Sequence, residues 1–206
     1  MVKKLFGKKI GMTRFFIEEG KSIPVTVLEV GPCVVIQKKT LLKDGYNAIQ
    51  VGYSTQKKGR VNKALAGHFK VAGDRYFAHL KEILIEDAED FDLGQEITSE
   101  VFNIGDLVNV SGLSKGRGFS GVMKRWGFSG GRKTHGSRSH RIPGSIGSSA
   151  TPGRVQKGRK LPGRMGNQRV TVKNLEIVDI RPEIDLVLVK GAVPGSRNGL
   201  VELSRV

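Results

Sequence analysis

From Leu113 to Asn174 the chain runs 62 residues without an Asp or Glu while carrying 15 Lys and Arg. A core cannot be built from this stretch. Between Ser129 and Arg169, 41 residues, the apolar side chains are Ile142, Ile146, Ala150, Val155, Leu161 and Met165. Ordering each residue costs roughly 1–2 kcal/mol of backbone entropy. Six scattered apolar side chains bury too little area to offset that cost. The rest of the chain must therefore fold around this segment, and the segment, free in solution, is expected to be a mobile arm. A stretch of this length inside a compact chain points to function rather than filler.

The charge is confined to the same place. Residues 1–112 hold 16 basic and 14 acidic side chains, and residues 175–206 hold 4 and 5, so the middle supplies +15 of the formal +16. A surface that needs only solubility mixes both signs. Removing every acid suits a polyanion, because each carboxylate would repel phosphate. Arginine usage narrows the partner. The window holds 9 Arg and 6 Lys, against 6 Arg and 14 Lys elsewhere. Arg grips phosphate with a planar fork and stacks on bases, whereas Lys is a point charge. A membrane-surface segment would need an amphipathic stripe, and none is present, so no membrane partner is expected.

The single cysteine, Cys33, excludes an intramolecular disulfide and a cysteine-rich zinc site. Its C-V-V-I setting predicts a buried structural thiol and a reducing compartment. No run of 18 or more apolar residues predicts a transmembrane helix. The basic start M-V-K-K-L-F-G-K-K-I lacks a hydrophobic region of the secretory kind.

The flanks read as β structure. Short β-branched runs at 23–30, 33–38, 47–53, 77–85, 106–110, 169–178, 186–190 and 200–206 are separated by Gly, Pro, Asn or Asp. Lys3 to Lys9 reads as a further basic strand. Many short strands without alternating long helices predict a mainly β barrel or sandwich. Asn62 is placed to cap a helix that Gly73 ends, and the acidic cluster Glu86 to Asp92 reads as a solvated loop. The strands before Gly112 and after Arg169 should pair, leaving residues 113–169 as an extended basic loop and residues 1–112 plus 170–206 as the body. Within the window, Phe119, Val122, Met123 and Trp126 fall close to one face of a two-turn helix over 119–126. Trp126 then either packs to anchor the root of the arm or stacks on a base.

Two enzyme motifs occur and both fail in context. Gly116 to Gly121 spells G-x-G-x-x-G, but a dinucleotide site needs an acid about 20 residues on, and no acid follows until Glu176. Gly127 to Gly131 spells G-x-S-x-G, but His135 and His140 come next with no carboxylate to orient them. The two histidines also lack any Cys, Asp or Glu nearby to complete a metal site. No cofactor, metal, catalytic residue or small-molecule substrate is expected, and binding replaces catalysis. Arg117, Lys124, Arg125, Arg132, Lys133, Arg138, Arg141, Arg154, Lys157, Arg159, Lys160, Arg164 and Arg169 are the candidate phosphate ligands. His135 and His140 are candidates for bases, and Lys8 and Lys9, on the basic strand from Lys3 to Lys9, form either a second nucleic-acid face or a simple solvated edge. A DNA-binding or architectural protein is the alternative, although no recognition helix or zinc module is evident.

The strings K-G-R-G-F-S-G-V-M-K-R-W-G-F, K-T-H-G-S-R-S-H-R, P-G-S-I-G, T-P-G-R-V and G-R-M-G-N-Q-R-V-T-V resemble the large-subunit ribosomal protein L-three family, as do G-K-K-I-G-M-T-R-F-F, N-K-A-L-A-G-H-F and L-V-L-V-K-G-A-V-P-G. The resemblance runs through the whole chain, and the compact length is similar to the bacterial type. It implies a translation-protein-like β-barrel body with a small α+β insert around residues 57–95. It implies cytoplasmic residence in the ribosome, direct binding of 23S rRNA near its 3′ end, and a part in nucleating early subunit assembly. Neighbours called L-fourteen and L-nineteen are implied as partners. The tip of the loop, Ser148, Ser149, Ala150 and Thr151, would approach the peptidyl transferase centre. Some relatives carry an N-methylated Gln just before T-P-G. Here that position is Ala150, which cannot accept the modification.

Overall fold

Runs rich in Val, Ile and Leu become strands because branched side chains suit a pleated, half-buried surface. The structure, a computed structural model, describes residues 4–17, 20–73 and 75–206. Among them are strands β1 (Lys4–Phe16), β2 (Ser22–Val30), β3 (Cys33–Lys39), β4 (Ala48–Thr55), β5 (Phe77–Leu84), β6 (Glu96–Ile97), β7 (Leu107–Leu113), β8 (Phe119–Ser120), β9 (Gly163–Arg164), β10 (Arg169–Arg181), β11 (Leu186–Lys190) and β12 (Leu200–Arg205). Helices are short: α1 (Leu41–Asp44), α2 (Lys63–Phe69) and α3 (Val122–Trp126). The chain is mainly β, as its pattern of short β-branched runs predicts. None of the described helices is long and apolar enough to cross a membrane.

Six strands close a barrel in the order β1-β12-β7-β10-β11-β2. Closure leaves no edge in the ring. The first and last strands are neighbours, with Leu5 opposite Leu203. A second, four-stranded sheet has the order β5-β4-β3-β6. Strand β3 is buried on both faces, so it reads as a continuous apolar run rather than an alternation. Cys33 and Val35 join the main core with Leu5, Leu28, Val110 and Leu203. Val34 and Ile36 face a smaller cluster with Phe69 and Phe77. Helix α2 closes that cluster, its Phe69 ring meeting Phe77 edge-on at 5.9 Å. The cap read from sequence is present: the Asn62 side-chain oxygen accepts from the Leu65 N–H at 2.8 Å. A 3-10 turn over Lys70–Ala72 then ends at Gly73 in the left-handed region.

Cys33 is fully buried, and that burial pushes its thiol up to about 11. It is a structural thiol, as its apolar setting predicts. The N-terminal strand runs on to Phe16, well past the basic Lys8-Lys9 pair, as a long hairpin with β2. Its first residue by the sequence reading, Lys3, lies outside the described residues.

The chain divides into two compact units, residues Met1–Leu113 with Arg169–Val206, and residues Ser114–Gln168. The first contains both larger sheets. Its strands β7 and β10 pair antiparallel with Leu113 opposite Arg169 and Gly112 opposite Val170, which is the expected pairing across the excursion.

Candidate nucleic-acid interface

Residues Ser114–Gln168 begin as two antiparallel backbones held by hydrogen bonds rather than by a core. The Ser114 N–H donates to the Gln168 carbonyl at 2.9 Å, and the Arg117 N–H to the Met165 carbonyl at 2.9 Å. The Met165 N–H returns to the Gly118 carbonyl at 2.9 Å. The short ladder of β8 and β9 follows, pairing Phe119 with Arg164 and Ser120 with Gly163. Glycine allows the close approach. At Gly166 (φ +73°) an added Cβ would run into the Lys115 carbonyl, and at Gly131 into the carbonyl of Ser139. In this unit Val122 is the one fully covered large apolar side chain among the described residues.

The two-turn helix expected over 119–126 is not formed. Gly118 takes a positive φ of 64° and Gly121 is extended, so the helix is confined to Val122–Trp126. Phe119 moves to strand β8 and is 81% exposed. Trp126 is 43% exposed and is held inside the unit. Its indole N–H donates to the Leu161 carbonyl at 2.9 Å, and Arg125 donates to the same oxygen at 2.8 Å. The Arg125 guanidinium stands 4.9 Å from the Trp126 ring centre and the Lys160 ammonium 5.8 Å. Arg125, a candidate nucleic-acid ligand from its sequence, is half-buried and occupied within the unit.

The other cations of the unit face solvent. Arg117, Lys124, Arg132, Lys133, Arg138, Arg141, Arg154, Lys157, Arg159, Lys160 and Arg164 are all exposed. Residues 114–168 hold 13 Lys and Arg and no acid, leaving 22 basic and 19 acidic side chains elsewhere. Ion pairs follow that division. Lys39–Glu82 at 2.8 Å, Lys190–Glu176 at 2.8 Å and Arg205–Asp106 at 3.0 Å all join residues of the first unit. Among the described residues no cation of 114–168 has a carboxylate partner. Arg159 instead donates to the Ser145 carbonyl. His135 sits exposed at a positive φ of 58°. His140 lies nearby in sequence but spends its Nδ1 on the Arg132 carbonyl at 3.0 Å. The tip residues Ser148, Ser149, Ala150 and Thr151 are exposed around a turn that ends at Gly153. A polar hollow beside them is lined by Ser145, Ser148, Arg154, Lys157 and Arg159.

Three predicted ligands belong to the first unit, and two of them, Lys9 and Arg169, are already engaged. Lys9 donates from its ammonium to the Val193 carbonyl at 2.7 Å. Lys8 lies opposite Glu29 across β1 and β2. Arg169 pairs with Glu202, which also holds Lys4 at 3.2 Å. Conversely, Lys115 and Lys173 are exposed cations of the acid-free window that the sequence reading left out of its set. The same absence of acids was the signal that could have found them.

A family model described as Ribosomal protein L3 matches residues 54–185. The chain is 57% identical over 206 residues to the Large ribosomal subunit protein uL3 of Desulfosudis oleivorans, spanning 100% of this chain and 99% of that protein. It is 56% identical to the protein of that name from Syntrophotalea carbinolica, over 98% of this chain and 96% of the relative. For the one from Geobacter sulfurreducens the identity is 52%, again over 98% and 96%. The profile covers well over half of the sequence and the relatives cover it from end to end, so this chain belongs to the ribosomal protein L3 family of structural, non-enzymatic constituents of the large ribosomal subunit.

Proposed function

We propose that the chain binds 23S rRNA directly, near the 3′ end of that RNA, and that residues 113–169 supply the contact. The observation that carries this reading is a whole structural unit with 13 cations, no acid and no ion pair among its described residues. Phosphate is the counter-charge that such a surface lacks. Glycines bring backbone close to backbone here, and they let RNA approach as closely. Direct binding by the body and this unit together would nucleate early assembly of the subunit, with Ser148 to Thr151 directed toward the peptidyl transferase centre. Proteins of the L-fourteen and L-nineteen families would be the neighbours of the body, in cytoplasmic ribosomes.

The test is a salt titration of the full chain against transcribed 23S rRNA. With roughly 6–10 neutralised phosphates, affinity should drop about 10³–10⁵-fold between 50 and 200 mM salt. A flat response would remove the electrostatic basis of the proposal. Duplex DNA added as competitor should displace the RNA poorly, and equal competition would favour a general polyanion binder.

A further inference from the structure

The unit Ser114–Gln168 contains three aromatic side chains, Phe119, Trp126 and Phe128. Phe128 is half-buried. Trp126 is occupied: its N–H is bonded to Leu161, and Arg125 and Lys160 stand against its ring. Phe119 differs from both. It is 81% exposed, and among the described residues no cation stands over its ring and no aromatic neighbour packs on it.

Its exposure is imposed by the backbone. The β8–β9 ladder alternates faces, so Ser120 points in and is buried while Phe119 points out. Directly opposite Phe119 in the register is Arg164, an exposed residue. Cross-strand partners in an antiparallel pair project from the same face with Cβ atoms about 4.5–5.5 Å apart. An open aromatic ring and a guanidinium therefore share one face, in a unit with no acid to repel phosphate. A phenylalanine exposed this far gains nothing for stability. Its flat apolar face beside a planar cation fits a nucleobase, whose ring stacks on the aromatic while its phosphate meets the guanidinium.

We propose that Phe119 and Arg164 form a stacking platform for an unpaired base of the bound RNA. This rests on the reading of the unit as an rRNA-binding surface and adds a base contact to its phosphate contacts. A protein neighbour covering Phe119 is the competing occupant. It is disfavoured because the residue directly beside Phe119 is a cation, Arg164, in a unit without acids, whereas apolar protein patches are depleted in charge at their centre.

The experiment uses the full chain with three RNA probes: a 12-nucleotide oligo(A), the same backbone with abasic sites in place of bases, and transcribed 23S rRNA. Phe119→Ala should weaken oligo(A) binding by roughly 5- to 100-fold. It should leave the abasic probe and the slope of affinity against salt unchanged. Phe119→Trp should retain or tighten oligo(A) binding. Equal binding of oligo(A) by parent and Phe119→Ala would overturn the platform and favour a protein neighbour. Equal losses on oligo(A) and the abasic probe would overturn it too, by assigning Phe119 a structural role. In either case a steep salt response on 23S rRNA would leave the broader RNA-binding reading standing, whereas no binding to any probe would end both.

Discussion

The two units of this chain solve the problem of order in opposite ways. The body buries Leu5, Leu28, Ile49, Val110 and Leu203 completely and answers its surface cations with Glu82, Glu176 and Asp106. Ser114–Gln168 buries Val122 and little else that is large and apolar, and leaves its cations unanswered. Burial supplies most folding free energy, and unpaired like charges oppose compaction. The body is therefore built to be stable by itself, and the other unit is built to be completed by something else. Shape in the first comes from side chains. In the second it comes from backbone hydrogen bonds and glycine contacts, which leave side chains free for a partner.

The sharpest way to break this contrast is to remove one side of it. Excising residues 114–168 and joining Leu113 to Arg169 through Asn-Gly should cost more than 10³-fold in 23S rRNA affinity at low salt, in keeping with the loss of about 6–10 phosphate contacts. The shortened chain should still melt in one cooperative transition. Cys33 gives a second readout: its thiol is buried and pushed up to about 11, so iodoacetamide should label it in neither form until the barrel opens. Early labelling of the shortened chain would show that the excised unit supports the body.

Core truncation sharpens the contrast next. Leu203→Ala should destabilise the chain by about 2–5 kcal/mol in urea unfolding, as buried leucines do. Ile146→Ala, at an exposed site of the other unit, should stay within about 0.5 kcal/mol. Similar costs at the two sites would erase the distinction. A smaller effect is expected at the helix cap, where Asn62→Ala removes the bond to the Leu65 N–H and should cost about 1 kcal/mol.

The smallest prediction concerns acid. Ser114–Gln168 has no carboxylate, so stability changes that come from carboxylate titration belong to the body. Asp185 is held above its usual range, first by desolvation and then by repulsion from Glu96. A raised folded-state pKa means that the fold prefers the protonated form, so the ionised group costs stability above that pKa. The cost disappears as pH falls below the ordinary aspartate range. Asp185→Asn should therefore raise Tm slightly at pH 7, with the gain vanishing toward pH 3. The residue sits at φ +53°, which asparagine tolerates. A gain that grew on acidification would reverse the sign.

Much of the body was legible in the sequence because β-branched runs and turn residues carry local information. Strand β11 matches its predicted span, and α2 begins at the predicted cap. The ring order was not legible, because pairing β12 with β1 depends on closure across the whole chain. Strand β10 extends past its predicted end by pairing Asp179 to Arg181 with β11 after a register shift between Ile177 and Asp179, and its other shift, between Val172 and Leu175, holds Asn174 in a left-handed conformation that no periodicity signals. The basic surface was visible as missing acids, but the availability of single cations was not. Lys9, Arg125 and Arg169 look like their neighbours in sequence and differ only in the carbonyl or carboxylate they meet. Phe119 was misplaced on a helix because Gly118 and Gly121 outweigh the spacing of the apolar residues.

The pairing of Leu113 with Arg169 has an evolutionary consequence. The chain leaves and re-enters the ring at one rung, so the barrel registers everything between as a single turn. Closing a loop costs only about 0.6 kcal/mol more for each doubling of its length. Selection could lengthen, shorten or rewrite this excursion to follow a changing RNA while the ring kept its register. The rung acts as a port: it fixes where the segment starts and ends and leaves its length and composition free to vary.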